Sequence, residues 1–324
     1  MFNKGRDFMK EHRQPIVCVG GANVDKKLYA KNEIAIKTSN PVSSSTSVGG
    51  VARNIAENLG RLGEDVVLLT ARGDDADWLE IKKSTEPYVD LSYVFEVTGA
   101  STGSYTAVLD PDGDLSCAYA DMDIFDSLTM ERLKENTDVM KNAKCIIADL
   151  NCPAEAVHFL KSFASEHDIP FLLIPVSSPK MGRLPPTLEG VEWLIVNIDE
   201  SETSLGMNID DEEAWGASVE RWLEKGVQQV IVTGGKDGVM AGKMGEVHHF
   251  PSLEAAVTDV TGAGDSFCGA VIHSWLSGGT FEHVIQAGLV NARKTIMSKT
   301  TVREDLTETK LKKDREEFFN GTIS

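Results

Sequence analysis

The stretch TDVTGAGDSFCGA, residues 258–270, places a single carboxylate among small and hydroxylated residues, directly before an apolar helical pattern. That pattern predicts a helix that begins near Gly264 or Asp265. The first turn of a helix presents backbone N–H groups that have no partner within the helix, and together they attract anions. Because Gly262, Ala263 and Gly264 carry almost no side chain, a phosphate can approach this backbone closely. The stretch therefore predicts an anion hole at the mouth of a helix.

Asp265 is the charged group of this turn, and two roles are open to it. Beside a bound phosphate it can act as a general base, taking a proton from an attacking hydroxyl while the helix end stabilises charge on the transferred group. The alternative is an aspartate that stabilises the helix dipole and nothing more. The stretch is not a P-loop, because it lacks the Lys-Ser/Thr pair of that motif. Residues 19–25, VGGANVD, do not match G-x-G-x-x-G, so a dehydrogenase is the least favoured interpretation.

Around this stretch, short apolar runs alternate with amphipathic segments. Strands are predicted at 15–21, 65–71, 143–149, 169–176, 191–197 and 227–235, and helices at 49–63, 129–141, 153–167 and 211–225. Continuous apolar strands that alternate with helices indicate an α/β fold, with a mostly parallel sheet covered on both faces.

Two segments, 26–48 and 102–122, interrupt this alternation with polar strands and turn residues, among them the hairpin signal DPDGD at 110–114. We interpret them as a small β-layer at the edge of the main domain, either a lid or a dimer surface. The alternative is that they form only an antiparallel edge of the main sheet. Since no linker or repeat divides the chain, we predict one domain over residues 15–300.

The composition excludes several classes of partner. The chain has 324 residues and a formal net charge of −18, and such a surface repels nucleic acid and anionic membranes. The five cysteines form no C-x-x-C pair and the histidines show no zinc spacing, which favours reduced thiols in the cytoplasm. Residues 1–14 lack the apolar core of a signal peptide and are predicted to be a tail. The charge-rich residues 301–324 are predicted to be a last helix or a second tail.

Two polar clusters follow predicted strands and suit a ligand with hydroxyl groups. GGANVD ends the first strand, and GGVARN opens the helix predicted from residue 49. Ligands of open α/β sheets gather at the carboxyl ends of strands, and small residues let a ribose or polyol approach the backbone. The candidate residues are Asn23, Asp25, Gly49, Gly50 and Asn54. The alternative for the glycine pair is a tight strand-to-helix turn.

Two more clusters suit a nucleotide and its metal. VTGGKDGV, residues 232–239, is a strand followed by a glycine-rich turn that can lie along a nucleotide. NIDE, residues 197–200, also follows a strand, and its Asn197 and Glu200 share one face of a helix's first turn. Oxygen ligands of this kind suit a hydrated Mg²⁺ ion.

The order of these motifs resembles the ribokinase-like, or PfkB, family of carbohydrate kinases. GGVARNIAENLGRLG and DVTGAGDSFCGA are similar to the two signatures of the family, NIDE to its N-x-x-E motif, and VTGGKDG to its nucleotide loop. The resemblance covers roughly residues 15–300. It implies a ribokinase-like three-layer α/β/α fold with a mostly parallel central sheet and a β lid, and an activity that uses ATP with Mg²⁺.

The resemblance also implies a role for each matching residue. Asp265 would be the catalytic base, with Gly262, Ala263 and Gly264 as the anion hole. Substrate-binding residues would be Asn23, Asp25, Gly49, Gly50, Asn54, Asn151 and Lys180. The ATP site would be lined by Asn197, Thr233, Gly235, Gly238 and Asn291. Glu200 would hold Mg²⁺ indirectly, and Asp259 with the Thr261 carbonyl would bind a monovalent cation, usually K⁺.

One branch of the family is most similar, through TSNPV before the first signature and LLTARGDD after it. This resemblance implies phosphorylation of the ribose 5′-hydroxyl of pseudouridine, and a homodimer formed through the lid. Asn151 stands where many relatives carry a sugar-contacting acid, and Lys180 is expected to reach either the substrate or solvent. The alternatives are a kinase for ribose, fructose or a purine nucleoside, and a non-catalytic ligand-binding member of the fold.

Overall fold

The computed structural model describes residues 14–319 of the chain. Residues 1–13, which make up nearly all of the predicted tail, and residues 320–324 lie outside the described part. Within it, the strands in chain order are β1 (Ile16–Val19), β2 (Asn23–Ala30), β3 (Val42–Gly49), β4 (Val66–Leu69), β5 (Ala71–Arg72), β6 (Phe95–Glu96), β7 (Ser104–Leu109), β8 (Leu115–Asp121), β9 (Cys145–Asp149), β10 (Phe171–Ile174), β11 (Val191–Asn197), β12 (Gln229–Thr233), β13 (Val239–Lys243) and β14 (Glu246–Phe250). The α-helices in this part are α1 (Val51–Arg61), α2 (Ala76–Thr85), α3 (Met130–Lys134), α4 (Thr137–Lys141), α5 (Ala154–Glu166), α6 (Ile198–Leu205), α7 (Glu212–Glu224), α8 (Ala263–Leu276), α9 (Phe281–Ile296) and α10 (Glu308–Phe319).

Eight strands form the main sheet, in the order β14-β13-β12-β11-β10-β9-β1-β4. From β4 to β12 all neighbouring strands run parallel, and the β13–β14 hairpin adds two antiparallel strands at one edge. Each of the six predicted apolar runs contributes one of the parallel strands. The predicted α/β fold with a mostly parallel sheet is confirmed.

Helices cover both faces of this sheet because strand residues alternate between two apolar cores. On β1, Val17 and Val19 point into a core that α3, α4, α5 and α7 close. Ile16 and Cys18 point into a second core, closed by α1, α2, α8 and α9. Burial of these side chains is the main favourable contribution to folding. Because α1 and α8 pack in the same core, their amino ends lie on the same face of the sheet.

The segments 26–48 and 102–122 form most of a separate four-stranded sheet, in the order β3-β2-β7-β8, which we call the lid. β2 and β7 pair in parallel, and the two outer pairs are antiparallel. The lid joins the main domain where β2 leaves and β3 returns, because Asn23 pairs with Gly49 in the register. β8 is one of the two edge strands of the lid, with β3 at the other edge, and all seven residues of β8 are exposed.

Some elements differ from those expected from the sequence. The predicted helix 129–141 is two short helices, because the chain turns between α3 and α4, where the Asn136 N–H donates to the Leu133 carbonyl. The charge-rich last segment contains α10, whose buried Asp314 accepts hydrogen bonds from Arg303 and Lys310. No helix within residues 14–319 combines the length and apolar character needed to cross a membrane.

Candidate active site

The turn before α8 has a backbone geometry that favours glycine. Gly262 is the N-cap of α8 and lies in the left-handed region, with φ 81° and ψ 0°. A Cβ atom on Gly262 would lie 2.2 Å from the carbonyl oxygen of Thr301, which is too close for any side chain. α8 begins at Ala263, one or two residues before the predicted start. The Ala263 N–H donates to the Val260 carbonyl at 3.2 Å. The next two N–H groups, of Gly264 and Asp265, have no acceptor within the helix, so they form a site suited to an anion.

Asp265 lies in the first turn of α8 and faces the start of α1. The side-chain Nδ2 of Asn54 donates to Asp265 Oδ2 at 2.6 Å, which links the two glycine-rich motifs. Burial raises the pKa of Asp265 to about 7, although the hydrogen bond from Asn54 and the charge of Arg53 lower it. A carboxyl group with this pKa exchanges its proton near neutral pH, which is the property that general-base chemistry requires.

Arg53, which the sequence analysis did not single out, fixes the orientation of Asn54. Its side chain is fully buried and donates through Nη2 to Asn54 Oδ1 and, at 3.1 Å, to Thr301 Oγ1. Its Nη1 pairs with Glu57 one turn further along α1. Because Arg53 holds the amide oxygen of Asn54, the NH₂ group is left to face Asp265. The available signal was a charged residue directly before Asn54 at a helix start.

Asp149, at the end of β9, was also not predicted as a site residue. It accepts hydrogen bonds from three separate segments of the chain. Its Oδ2 accepts from the backbone N–H groups of Gly21 at 2.9 Å and Ala52 at 3.0 Å, and its Oδ1 from that of Asn151 at 2.8 Å. Only 1% of Asp149 is exposed. Burial raises its pKa, although these hydrogen bonds lower it. The signal in the sequence was an acid at the carboxyl end of a buried strand, where ligand sites of open sheets gather.

The candidate residues of the first two motifs come together at the base of the lid. Asn23 Nδ2 donates to Asp25 Oδ1 at 2.7 Å, and Asn23 lies opposite Gly49 in the sheet register. Gly50 has φ 98°, and a Cβ atom on it would lie 2.4 Å from a neighbouring backbone carbonyl oxygen. The glycine pair therefore does form a tight strand-to-helix turn. The same turn brings the Asp25 side chain close enough for its charge to raise the pKa of Asp265.

Asn151 and Lys180 contact each other next to Asp149. Asn151 Nδ2 donates to Asp149 Oδ2 at 3.1 Å, and Lys180 Nζ donates to Asn151 Oδ1. Arg183 Nη1 donates to the backbone carbonyl of Asn151 at 2.7 Å. Burial lowers the pKa of Lys180, which has several charged neighbours. Its ammonium is thus directed towards Asn151 rather than free in solvent.

A cavity of about 740 Å³ reaches the amino end of α8 at Ala263. Its wall is mostly apolar and includes Val257, Val260 and Leu289, with Gly235 at its edge. This volume and character are typical of small-molecule and cofactor sites. Of the other candidate ATP residues, Thr233 ends β12 directly opposite Asn197 at the end of β11. Among the five candidate ATP residues, Gly235 alone lines this cavity.

Two of the candidate ATP residues that do not line this cavity, Asn291 and Gly238, have closely packed surroundings. Asn291 is fully buried on α9, where its Nδ2 donates to Asn58 Oδ1 at 3.0 Å and to the Ser266 carbonyl at 2.8 Å. It therefore joins α9 to α1 and α8, because its face of the helix packs inwards. Gly238 ends the turn before β13 and packs against the backbone of Phe250, inside the edge hairpin. Contacts of these two residues with a nucleotide stay predictions.

Asn197 and Glu200 form a capping box at the start of α6. Asn197 Oδ1 accepts from the Glu200 N–H at 2.8 Å, and Glu200 Oε2 accepts from the Asn197 N–H at 2.9 Å. Burial raises the pKa of Glu200. Among residues 14–319, no three His, Cys, Asp or Glu side chains converge to hold a metal ion.

Comparison with known proteins shows the family and the fold of this chain. Residues 13–307 match the family model described as pfkB family carbohydrate kinase. The pseudouridine kinase of Escherichia coli (strain K12) is 31% identical over 276 residues, which cover 84% of this chain and 87% of that protein. A carbohydrate kinase from Agrobacterium tumefaciens is 27% identical, with a TM-score of 0.78 over 94% of this chain and 97% of that one. Arabidopsis thaliana ribokinase complexed with ribose and ATP is 21% identical and shows the same fold, with a TM-score of 0.83 over 94% and 99% of the two chains.

Proposed function

The chain belongs to the pfkB family of carbohydrate kinases, and we propose that it transfers the γ-phosphoryl group of ATP to the 5′-hydroxyl of pseudouridine. The observation that supports this reaction is the position of the Asp265 carboxylate beside the glycine turn of α8. Its Oδ2 accepts a hydrogen bond from Asn54 Nδ2 at 2.6 Å. The choice of pseudouridine is supported by the 31% identity with the pseudouridine kinase of E. coli.

Asp265 acts as the general base in this proposal. It accepts the proton of the acceptor hydroxyl while the hydroxyl oxygen attacks the γ-phosphorus of ATP. The bond from that phosphorus to the β–γ bridging oxygen breaks, and ADP leaves. The N–H groups in the first turn of α8, at Gly264 and Asp265, stabilise the charge on the phosphoryl oxygens. Since phosphoryl transfer depends mostly on positioning and charge neutralisation, these fixed groups supply much of what it needs.

The nucleotide would be bound without a basic patch. When bound with ATP, Mg²⁺ neutralises phosphate charge as a Lewis acid, and Glu200 would hold it through water. The apolar cavity beside Val257 and Leu289 would take the adenosine part. Helix dipole and metal together explain how a chain with a net charge of −18 can bind a polyanion.

The acceptor nucleoside would lie at the base of the lid. Asn23 and Asp25 offer an amide and a carboxylate for the ribose hydroxyls. Asn151 and Lys180, already in contact through Nζ and Oδ1, offer hydrogen-bond donors for the carbonyl oxygens of a pyrimidine base. The lid would close over this nucleoside and exclude water.

Two further expectations accompany this proposal. All five cysteines are free, which supports a location in the reducing cytoplasm. The exposed edge strand β8 of the lid supports a homodimer formed through this sheet.

The raised pKa of Asp265 predicts the pH dependence of the reaction. With a pKa of about 7, the carboxylate is lost as the pH falls through 7, so kcat/KM should fall about tenfold for each unit below that value. Steady-state kinetics between about pH 5 and 9 test this, because kcat/KM reports the groups of the free enzyme. A profile that stays flat down to pH 5 would exclude Asp265 as a base with a raised pKa.

An ATP-coupled assay that compares pseudouridine with uridine tests the substrate. The two nucleosides differ in their glycosidic linkage and in the ring edge that they present, so the ratio of their kcat/KM values reports base recognition. We expect pseudouridine to be preferred. If ribose, fructose or a purine nucleoside gives the highest kcat/KM, the choice of pseudouridine is wrong, but the proposed kinase activity stands. If none of these acceptors is phosphorylated above background, a non-catalytic member of the fold is favoured.

A further inference from the structure

Lys27 connects the lid to the turn that precedes α8. It lies on β2 two residues after Asp25, so both side chains are on the same face of the strand. Its Nζ donates to Asp259 Oδ2 at 2.6 Å and to Thr261 Oγ1 at 3.2 Å. Both acceptors lie within the three residues before Gly262. Lys27 and Asp259 are 232 positions apart in the sequence, so the contact depends on the fold. The ion pair is partly buried, with 25% of the Lys27 side chain exposed.

Asp259 and the Thr261 carbonyl were expected to bind a monovalent cation, and the surroundings of the Asp259 carboxylate do not fit one. Asp259 Oδ1 accepts from the Thr261 N–H at 2.9 Å and from its hydroxyl at 2.6 Å, while Oδ2 accepts from Lys27. Both oxygens of the carboxylate are therefore engaged, and the lysine ammonium neutralises its charge. A K⁺ ion at this carboxylate would lie beside a second positive charge, and the repulsion is poorly screened where the pair is partly buried.

We propose that the ammonium group of Lys27 takes the place of a monovalent cation at this turn, so that the protein needs no K⁺. The same ion pair holds the lid against the turn. The inference rests on the proposed function only for its turnover measurement, because ion binding can be measured without any substrate.

Lys27 is a positioning residue in this scheme. Asp259 fixes the peptide of Thr261, which leads into the left-handed conformation of Gly262. Neutralising Asp259 with an anchored ammonium therefore stabilises the turn that orients the first N–H groups of α8. The same anchor places the face of β2 that carries Asp25 towards the site.

The test compares Lys27→Met with Lys26→Met in the full-length chain. Lys26 is the matched control, because it is the adjacent lysine on the opposite face of β2 and pairs with Asp77 at 2.7 Å. Turnover with MgATP and the best acceptor, and the thermal unfolding midpoint, are measured in chloride buffers of equal ionic strength that contain either K⁺ or tetramethylammonium.

The unmodified protein and Lys26→Met should each give the same kcat and the same unfolding midpoint in both buffers. Lys27→Met should lose about tenfold in kcat without K⁺, the size expected for one charge-assisted hydrogen bond. Because the substitution leaves the carboxylate without its cation, K⁺ should raise the unfolding midpoint of this variant.

Activation of the unmodified protein by K⁺, or a rise in its unfolding midpoint with K⁺, would overturn the proposal. So would a Lys27→Met variant that behaves like Lys26→Met. If Lys27→Met does not fold, the unmodified protein in the two buffers still decides the question. If no acceptor is phosphorylated, the unfolding midpoints decide it, so failure of the proposed function remains distinguishable from failure of this inference.

Discussion

Asp265→Asn is expected to lower kcat by about 10²–10⁴-fold, the usual contribution of a positioned general base, with little change in ATP affinity. The substitution keeps the size of the side chain, and Asn54 can still donate to its amide oxygen, so the turn should be preserved. What is lost is the group that accepts the hydroxyl proton. Steady-state kinetics measure kcat, and calorimetry with ATP measures the affinity.

Asp138→Asn is the matched control for this substitution. Asp138 is an exposed acid in the first turn of α4, so it has the same relation to a helix dipole without lying in the site. If Asp265 only stabilised its helix, both variants would lose about 0.3–1 kcal/mol of stability and keep their turnover. An unchanged kcat in Asp265→Asn would show that Asp265 is not the general base. A large loss of ATP affinity at unchanged kcat would instead identify Asp265 as a binding residue.

Much of the fold could be predicted because the signals that specify it are local. The apolar run 143–149 contains β9 and ends with it at Asp149, since the run is itself what the sheet buries. The glycine turn at Gly262 could be read from a few adjacent residues, because small side chains and a helix start are both visible there. The start of α8 was predicted one or two residues late, because Ala263 carries no signal that separates a turn from a first helical residue.

The partners of the site residues could not be predicted, because they depend on which elements adjoin in space. Arg53 holds the amide oxygen of Asn54 while it also donates to Thr301, 248 positions away. Lys27 reaches Asp259 only because the lid folds over the main domain. The hydrogen bond from Asn291 on α9 to Asn58 on α1 likewise joins residues 233 positions apart. No pattern of neighbouring residues carries this information.

Gly262→Ala is expected to lower kcat by about 10²–10³-fold, the cost of removing one donor from an oxyanion hole. Alanine is disfavoured at φ 81°, and its Cβ would lie 2.2 Å from the Thr301 carbonyl oxygen. The turn must therefore rearrange, and the N–H groups of Gly264 and Asp265 would no longer converge on the phosphoryl group. The KM for the acceptor should change little, because Asn23 lies outside this turn. Steady-state kinetics with each substrate varied in turn measure both quantities.

Gly264→Ala is the matched control, because it separates the geometry of the turn from its glycine content. A Cβ atom on Gly264 meets no heavy atom within 4 Å outside its own helix, and this residue has no positive φ. Its kcat should therefore fall less than about tenfold, since no donor is lost. Equal losses of kcat in the two variants would mean that the site needs a backbone without side chains, rather than the left-handed turn at Gly262. A Gly262→Ala protein with an unchanged unfolding midpoint and full turnover would show that this turn does not stabilise the transferred group.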